Sequence, residues 1–160
     1  GISGPSILQI SSYWRPEITI EVNLLPQNSM DKTLRQRRTK TPKQNISNVL
    51  SDFLPNKLST AITSLLNTNQ KIGEASNETL EKISNFINKL TILPTGTEGY
   101  KAAEVTLGGI NTNEINSSTM ECKKYSRLYF VGEVVDVTGH LGGHNFQWAW
   151  SSGYVAGQNV

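Results

Sequence analysis

The chain has 160 residues, with 15 Lys and Arg against 13 Asp and Glu, a formal charge of +2. At 36% hydrophobic and 18% charged residues it reads as one folded domain with enough chain to bury a core, which argues against disorder. No apolar run approaches the ~20 residues of a membrane-spanning helix, and the single cysteine, Cys122, excludes an internal disulfide framework and a cysteine-built metal site.

In chain order, Gly1–Pro5 is turn-like, and Pro5 suits the first turn of a helix running through Trp14. Pro16 ends that segment. Glu17–Leu25 then alternates polar and apolar residues, the pattern of a strand with one buried face, and Pro26 closes it. Six basic residues follow between positions 32 and 43: Lys32, Arg35, Arg37, Arg38, Lys40 and Lys43. They read as a solvated, mobile loop.

From Ile46 to Leu90 the apolar spacing becomes helical and predicts three short helices packed on one another. These are carried by Val49–Leu54, by Leu58, Ile62, Leu65 and Leu66, and by Leu80, Ile83, Phe86, Ile87 and Leu90, with Ser76 or Asn77 as cap of the last. Strand and turn signals then return at Leu90–Leu93, at a Gly-rich loop over Thr95–Gly99, at Lys101–Leu107 and at Ile110–Ile115. Leu128–Val131 reads as a buried strand. After it come Gly132, Glu133, a glycine-rich loop to Gly143 and a helix from Asn145 to Gly157.

This last strand, loop and helix hold the most chemistry. Glycines let the backbone approach a flat or charged ligand closely, and a helix start near Asn145 presents unpaired N–H groups and partial positive charge to it. Such a site would stabilise negative charge developing on a flavin ring. Glu133 or Asp136 is placed to accept hydrogen bonds from sugar-like hydroxyls. The same glycines would equally serve a tight connection needed for packing alone, and the residues by themselves leave both readings open.

Four segments, taken in order, resemble one bacterial family. They are Gly1–Trp14 (GISGPSILQISSYW), Ala103–Ile110 (AEVTLGGI), Thr119–Glu121 (TME) and the long Leu128–Gly157 (LYFVGEVVDVTGHLGGHNFQWAWSSGYVAG). Together they are similar to the NAD(P)/FAD-dependent oxidoreductases of the aminoacetone-oxidase-like, or BaiN/RdsA, type. The resemblance implies an α+β chain: a small β-barrel-like insertion carrying a helical subdomain, then the returning strand-loop-helix of a Rossmann-type FAD domain. On this sequence it assigns 1–45 and 91–118 to the barrel-like parts, 46–90 to the helical subdomain and 119–160 to the FAD domain.

The family's GxGxxG loop, which holds the FAD pyrophosphate, has no counterpart here. The chain therefore resembles the carboxy-terminal part of a cytoplasmic flavoenzyme, inactive alone and partnered by a missing amino-terminal FAD-binding half. By the same resemblance Glu133 meets the FAD ribityl or ribose region, with Asp136 in the same loop, and Gly142, Gly143, His144 and Asn145 lie beside the isoalloxazine. NAD(P)H is the implied electron donor, and an unsaturated compound the implied substrate. Some relatives are associated with reducing a uridine in ribosomal RNA, others with small unsaturated or amine substrates.

Other candidates have plainer readings. His144 fits a packing or hydrogen-bonding role better than proton transfer, and His140 an exposed loop. Cys122, beside Lys123 and Lys124, has no partner thiol and reads as structural. Trp148 and Trp150 point to different sides of the last helix, with core packing the main expectation. Glu98 and Glu104 form no convincing acid–base pair. A second function class is an RNA-binding module centred on the basic run, whose six charges are enough to contact phosphates and in which Arg35, Arg37 and Arg38 are the residues whose change to Ala should weaken RNA binding; the run has no aromatic residue for base stacking.

Overall fold

The helical patterning of the middle of the chain is realised within one of two units, Glu17–Pro94; the other unit comprises Gly1–Pro16 with Thr95–Val160. The architecture is that of a computed structural model describing residues 1–160. The α+β expectation holds: helices predominate and the one sheet has two strands.

In the Glu17–Pro94 unit, β1 (Ile20–Val22) pairs antiparallel with β2 (Leu90–Ile92), Ile20 opposite Ile92 and Val22 opposite Leu90. The strand is shorter than the alternating run Glu17–Leu25 implies, for two local reasons. Glu17 sits at φ 68, and the Leu24 amide donates to the Ile87 carbonyl rather than to a strand partner.

Four helices follow: α2 (Met30–Lys40), α3 (Ile46–Ser51), α4 (Asn56–Leu65) and α5 (Asn77–Asn88). The last three are those the apolar spacing predicts, and Ser76 caps α5 by accepting from the Thr79 amide at 3.1 Å. The helix α2 corrects the expectation of a mobile basic loop, and the helices of this unit begin at Met30 rather than at Ile46. Met30 and Leu34, one turn apart, are fully buried, and Asp31 pairs with Arg35 at i,i+4. Asp31 in the first turn and Arg37, Arg38 and Lys40 in the last suit the helix dipole. The core joins Met30 and Leu34 to Ile46, Val49, Leu50, Leu54, Ile62, Ile72, Ala75, Leu80, Ile83 and Ile87.

Asn88, at the end of α5, fastens the segment between β1 and α2. Its Nδ2 donates to Asn23 Oδ1, the Leu25 carbonyl and the Asn28 carbonyl, at 3.0, 3.2 and 2.9 Å, and its Oδ1 accepts the Met30 amide at 2.9 Å. The Met30 amide is one of the first donors of α2, which no intrahelical carbonyl can satisfy. Asn88→Ala removes all four bonds and leaves the part-buried Met30 amide without a partner, while the Leu25 carbonyl keeps the Asn28 amide. It is expected to cost about 3 kcal/mol, read as a fall in the thermal midpoint of the unfolding curve.

In the other unit, α1 (Pro5–Ser11) starts on Pro5 as expected and stops short of Trp14, although the Trp14 amide still donates to the Ile10 carbonyl. The helix α6 (His144–Gly157) matches the predicted last helix closely. Between them the expected strands do not form ladders. Ile110 bridges Val135, Ile115 bridges Cys122 and Glu121 bridges Tyr129 as single pairs. Positive φ at Gly108, Gly109, Met120, Arg127 and Gly132 bends the chain before a second pair can form. A 3-10 turn at Gly99–Lys101 occupies the start of the expected Lys101–Leu107 strand. The buried cluster here is Ile115, Met120, Val135 and Ala156, with Trp148, Phe130 and others partly buried around it.

Candidate functional site

Gly132 pins the end of the Leu128–Val131 run to the inner face of α6. Its amide donates to Ser152 Oγ at 2.9 Å, and its carbonyl accepts Trp148 Nε1 at 3.0 Å. Its φ of 68, a left-handed conformation that suits glycine, turns the chain there. Glu133 follows on a 3-10 turn, exposed. Asp136 is also exposed, and its Oδ1 accepts the Gly108 amide at 3.2 Å while its own amide donates to the Ile110 carbonyl. A Cβ on Gly109 would collide with the Val134 carbonyl, so the 108–110 segment lies hard against the 134–136 segment.

The loop onward to α6 is clamped at its neck. Gly139 donates to Asn145 Oδ1 at 2.6 Å, and Asn145 Nδ2 donates back to the Gly139 carbonyl at 3.2 Å. The Asn145 side chain is thus committed to the loop, and only its backbone remains for a ligand. Gly142 and Gly143 have φ of 114 and 90, and a Cβ on either would meet nothing within 4 Å. No side chain caps α6, whose first intrahelical bond runs from the Gln147 amide to the Gly143 carbonyl. The amides of His144, Asn145 and Phe146 therefore have no carbonyl below them in the helix. A helix start with bare N–H groups, approached through two glycines with open space beside them, fits a flat ligand that carries or develops negative charge.

Sequence reasoning missed the supports of this loop. The Leu141 amide donates to Gln9 Oε1 at 3.0 Å, and His140 Nε2 lies 3.3 Å from Tyr13 Oη, so α1 and the turn after it hold the loop. Partners 132 and 127 residues apart leave no local pattern to read. His140 is exposed as expected. His144 is exposed too and its ring makes no hydrogen bond, so it is not the packing or hydrogen-bonding histidine expected. The two tryptophans do point apart: Trp148 faces inward, whereas Trp150 is 77% exposed and so not in the core. Cys122 is buried and free; Lys123 Nζ is spent on the Asn113 carbonyl and Lys124 lies over the Tyr125 ring. Glu98 and Glu104 are both exposed. No three His, Cys, Asp or Glu side chains gather into a metal-binding group.

The Glu17–Pro94 unit carries the basic residues, and its hydrogen bonds redistribute their roles. Arg35 donates to Asp31 and Asn77, Arg37 to Asp52 at 2.7 Å, and Arg38 to the Ala75 carbonyl and Asn77. The hydrogen bond to Asp31, and then its charge, raise the pKa of Arg35 above its ordinary value. Of the six basic residues expected to meet phosphates, the three arginines are thus tied to the protein, while the side chains of Lys32, Lys40 and Lys43 are free. The turn after α2 runs beside residues 70–73, through Asn45 bridging Lys71, the Ile72 amide on the Gln44 carbonyl and the Gly73 amide on the Pro42 carbonyl. That brings exposed Lys71 to the same end of the unit as exposed Lys40 and Lys43. A Cβ on Gly73 would approach Pro42 Cβ to 2.7 Å, so the close fit of these segments requires glycine there.

An α+β chain with a helical unit held by a strand pair, and a second unit built around a glycine-walled helix start, is the class these observations define. The chain belongs to the HI0933-like family: residues 1–105 match the profile of the HI0933-like protein barrel and H2TH domain. It is 44% identical over 161 residues to a ribosomal RNA dihydrouridine synthase of Haemophilus influenzae, and 44% over 168 residues to one of Escherichia coli. It is 30% identical over 169 residues to a 3-dehydro-bile acid delta(4,6)-reductase of Clostridium scindens. The matches cover 99 to 100% of this chain but 40 to 41% of each relative. The family resemblance read from the four motifs is borne out, and these relatives are oxidoreductases by name. No helix is long and apolar enough to cross a membrane.

Proposed function

We propose that this chain is the carboxy-terminal part of a cytoplasmic FAD-dependent oxidoreductase that reduces a uridine in ribosomal RNA, with NAD(P)H as electron donor. The observation that carries the substrate is the 44% identity, along the entire chain, to two proteins named ribosomal RNA dihydrouridine synthase. Dihydrouridine is uridine with its ring carbon–carbon double bond reduced, which makes uridine the unsaturated substrate of such an enzyme. The 30% identity to a bile acid reductase leaves a small unsaturated substrate as the second reading.

On this reading 119–160 is the returning part of the FAD-binding domain, 1–45 and 91–118 belong to the barrel-like insertion, and the partner of all of it is the amino-terminal FAD-binding half. When bound, FAD supplies hydride transfer from a reduced nicotinamide to the unsaturated substrate. The backbone of Gly142–Asn145 stabilises negative charge beside the ring, Glu133 accepts from the cofactor's hydroxyls, and Asp136 fixes the Gly108 turn beneath the same loop. Asn145 and Gln9 hold the loop in place. Lys40, Lys43 and Lys71 take the RNA backbone, a role the sequence alone gave to the basic run as a whole.

The test is the visible absorption spectrum of the full-length protein after gel filtration, beside that of Glu133→Ala. A yellow wild type with the variant depleted of FAD is the expected result. Equal retention removes Glu133 from the site, and a wild type that stays colourless with added FAD overturns the flavoenzyme reading.

A further inference from the structure

The first half of α2 borders an open cleft of about 720 Å³, with α5 along its other side. Asn88 lines it with both ends of its side chain already spent, on the backbone and on Asn23. Gln27, Asn28 and Asn85 line it too, but they are exposed and their side-chain amides make no hydrogen bond within the protein. Ser84, also in the lining, is only 8% exposed, yet its hydroxyl has no partner. Side-chain polar atoms that buried are nearly always paired, so this hydroxyl is left for whatever enters the cleft.

Charge narrows what can enter. Glu21, Asp31 and Glu81 stand against Arg35 and Lys89, a balance of one negative charge that disfavours a phosphate. A neutral ligand that hydrogen-bonds along its edge is the better match to the free amides. Arg35 adds a flat wall. Its Nε donates to both Asp31 carboxylate oxygens, at 2.9 and 3.0 Å, and its Nη1 to Asn77 Oδ1 at 3.1 Å. Those bonds fix the guanidinium plane while the side chain stays 42% exposed, and bases stack on arginine planes as they do on aromatic rings.

We propose that this cleft binds an unpaired base of the RNA substrate, adenine before the others, with Gln27 and Asn85 on its edge and Arg35 against its face. An Asn or Gln amide offers one donor and one acceptor, the pair that the N6 and N7 edge of adenine requires. Lys40 stands at the far end of α2, about 15 Å from Met30 along the helix axis. A strand whose phosphates lie on Lys40 and Lys43 therefore reaches the cleft within a few nucleotides. The inference rests on the ribosomal RNA reading and adds to it a site that reads sequence, which phosphate contacts alone cannot do.

The test is fluorescence anisotropy of the full-length protein with single-stranded RNA oligomers of adenosine, of cytidine and of uridine, equal in length. The wild type is expected to bind the adenosine oligomer about 10-fold more tightly than the other two. Gln27→Ala combined with Asn85→Ala should bring the three to one affinity and leave the salt slope unchanged, because these exposed amides carry no charge. Replacing Lys40, Lys43 and Lys71 by Gln should instead weaken all three alike. Equal wild-type affinities, or an adenosine preference that survives in the amide variant, overturn the proposal. Binding to none of the three overturns it as well. The dihydrouridine content of ribosomal RNA decides the substrate reading separately. A protein that reduces uridine but shows no base preference loses only the cleft, whereas one with the preference that reduces no uridine keeps the cleft and loses the substrate.

Discussion

Replacing Lys40, Lys43 and Lys71 together by Gln in the full-length protein is expected to weaken its binding to ribosomal RNA by on the order of 100-fold near physiological salt. It should also reduce the slope of log K against log salt by about 2 to 3. All three lysines are exposed and their side chains make no ion pair or hydrogen bond within the unit, so their charge is available to phosphates and its loss leaves the fold intact. The arginines provide the contrast. Arg37→Ala breaks the ion pair with Asp52, and Arg38→Ala frees the Ala75 carbonyl and leaves Asn77 Oδ1 to Arg35 alone. Their main expected effect is a lower unfolding midpoint, with a smaller change in the salt slope. A fluorescence anisotropy titration at several salt concentrations, with circular dichroism melts of each variant, separates the two. If the lysine variant binds RNA as the wild type does, the basic end of this unit is a solvated surface and not a docking site.

Gly143→Val is expected to reduce FAD affinity in the full-length protein by roughly 10- to 100-fold. Gly143 holds φ 90 as the N-cap of α6, a conformation that costs a β-branched residue about 1 to 3 kcal/mol. The open space beside it gives an added side chain room, so the variant meets no steric clash within this unit. The strain is relieved by rotating the first turn of α6, which turns the amides of His144 and Asn145 away from the ligand. Measured FAD content after gel filtration should fall much further than the melting temperature. A Val variant that keeps its flavin would show that the helix start does not contact the cofactor.

The parts of this molecule written in local spacing were legible in the sequence. The apolar positions of α3, α4 and α5 recur at helical intervals, Ser76 stands where a cap belongs, and the glycines before α6 mark its start to within a residue. The α2 helix was hidden because only Met30 and Leu34 bury from it, amid residues that otherwise look like a charged loop. The runs at 101–107, 110–115 and 128–131 carry strand-like composition, yet the first forms no bridge and the other two pair only at single bridges, next to positive φ at Gly108, Gly109, Arg127 and Gly132. Within the candidate site, Glu133, Asp136 and Gly142–Asn145 were named from the sequence. The clamp of Gly139 by Asn145 and the support from Gln9 and Tyr13 were not, because they depend on side-chain geometry and on partners far away in the chain. The division of the basic run into tied arginines and free lysines is of the same kind: charge can be counted in a sequence, but which charges are already spent can only be seen once Asp52, Ala75 and Asn77 are in place.

The most direct test of the central claim is the dihydrouridine content of ribosomal RNA, measured by mass spectrometry of its nucleosides. The RNA is taken from cells lacking the gene and incubated with the full-length protein, FAD and NAD(P)H. One uridine position gaining two hydrogens, with matching oxidation of the nicotinamide, is the predicted result. A protein that retains FAD and oxidises NAD(P)H with a small unsaturated compound, yet leaves every uridine unchanged, would contradict the account and put the substrate with the bile acid reductase instead.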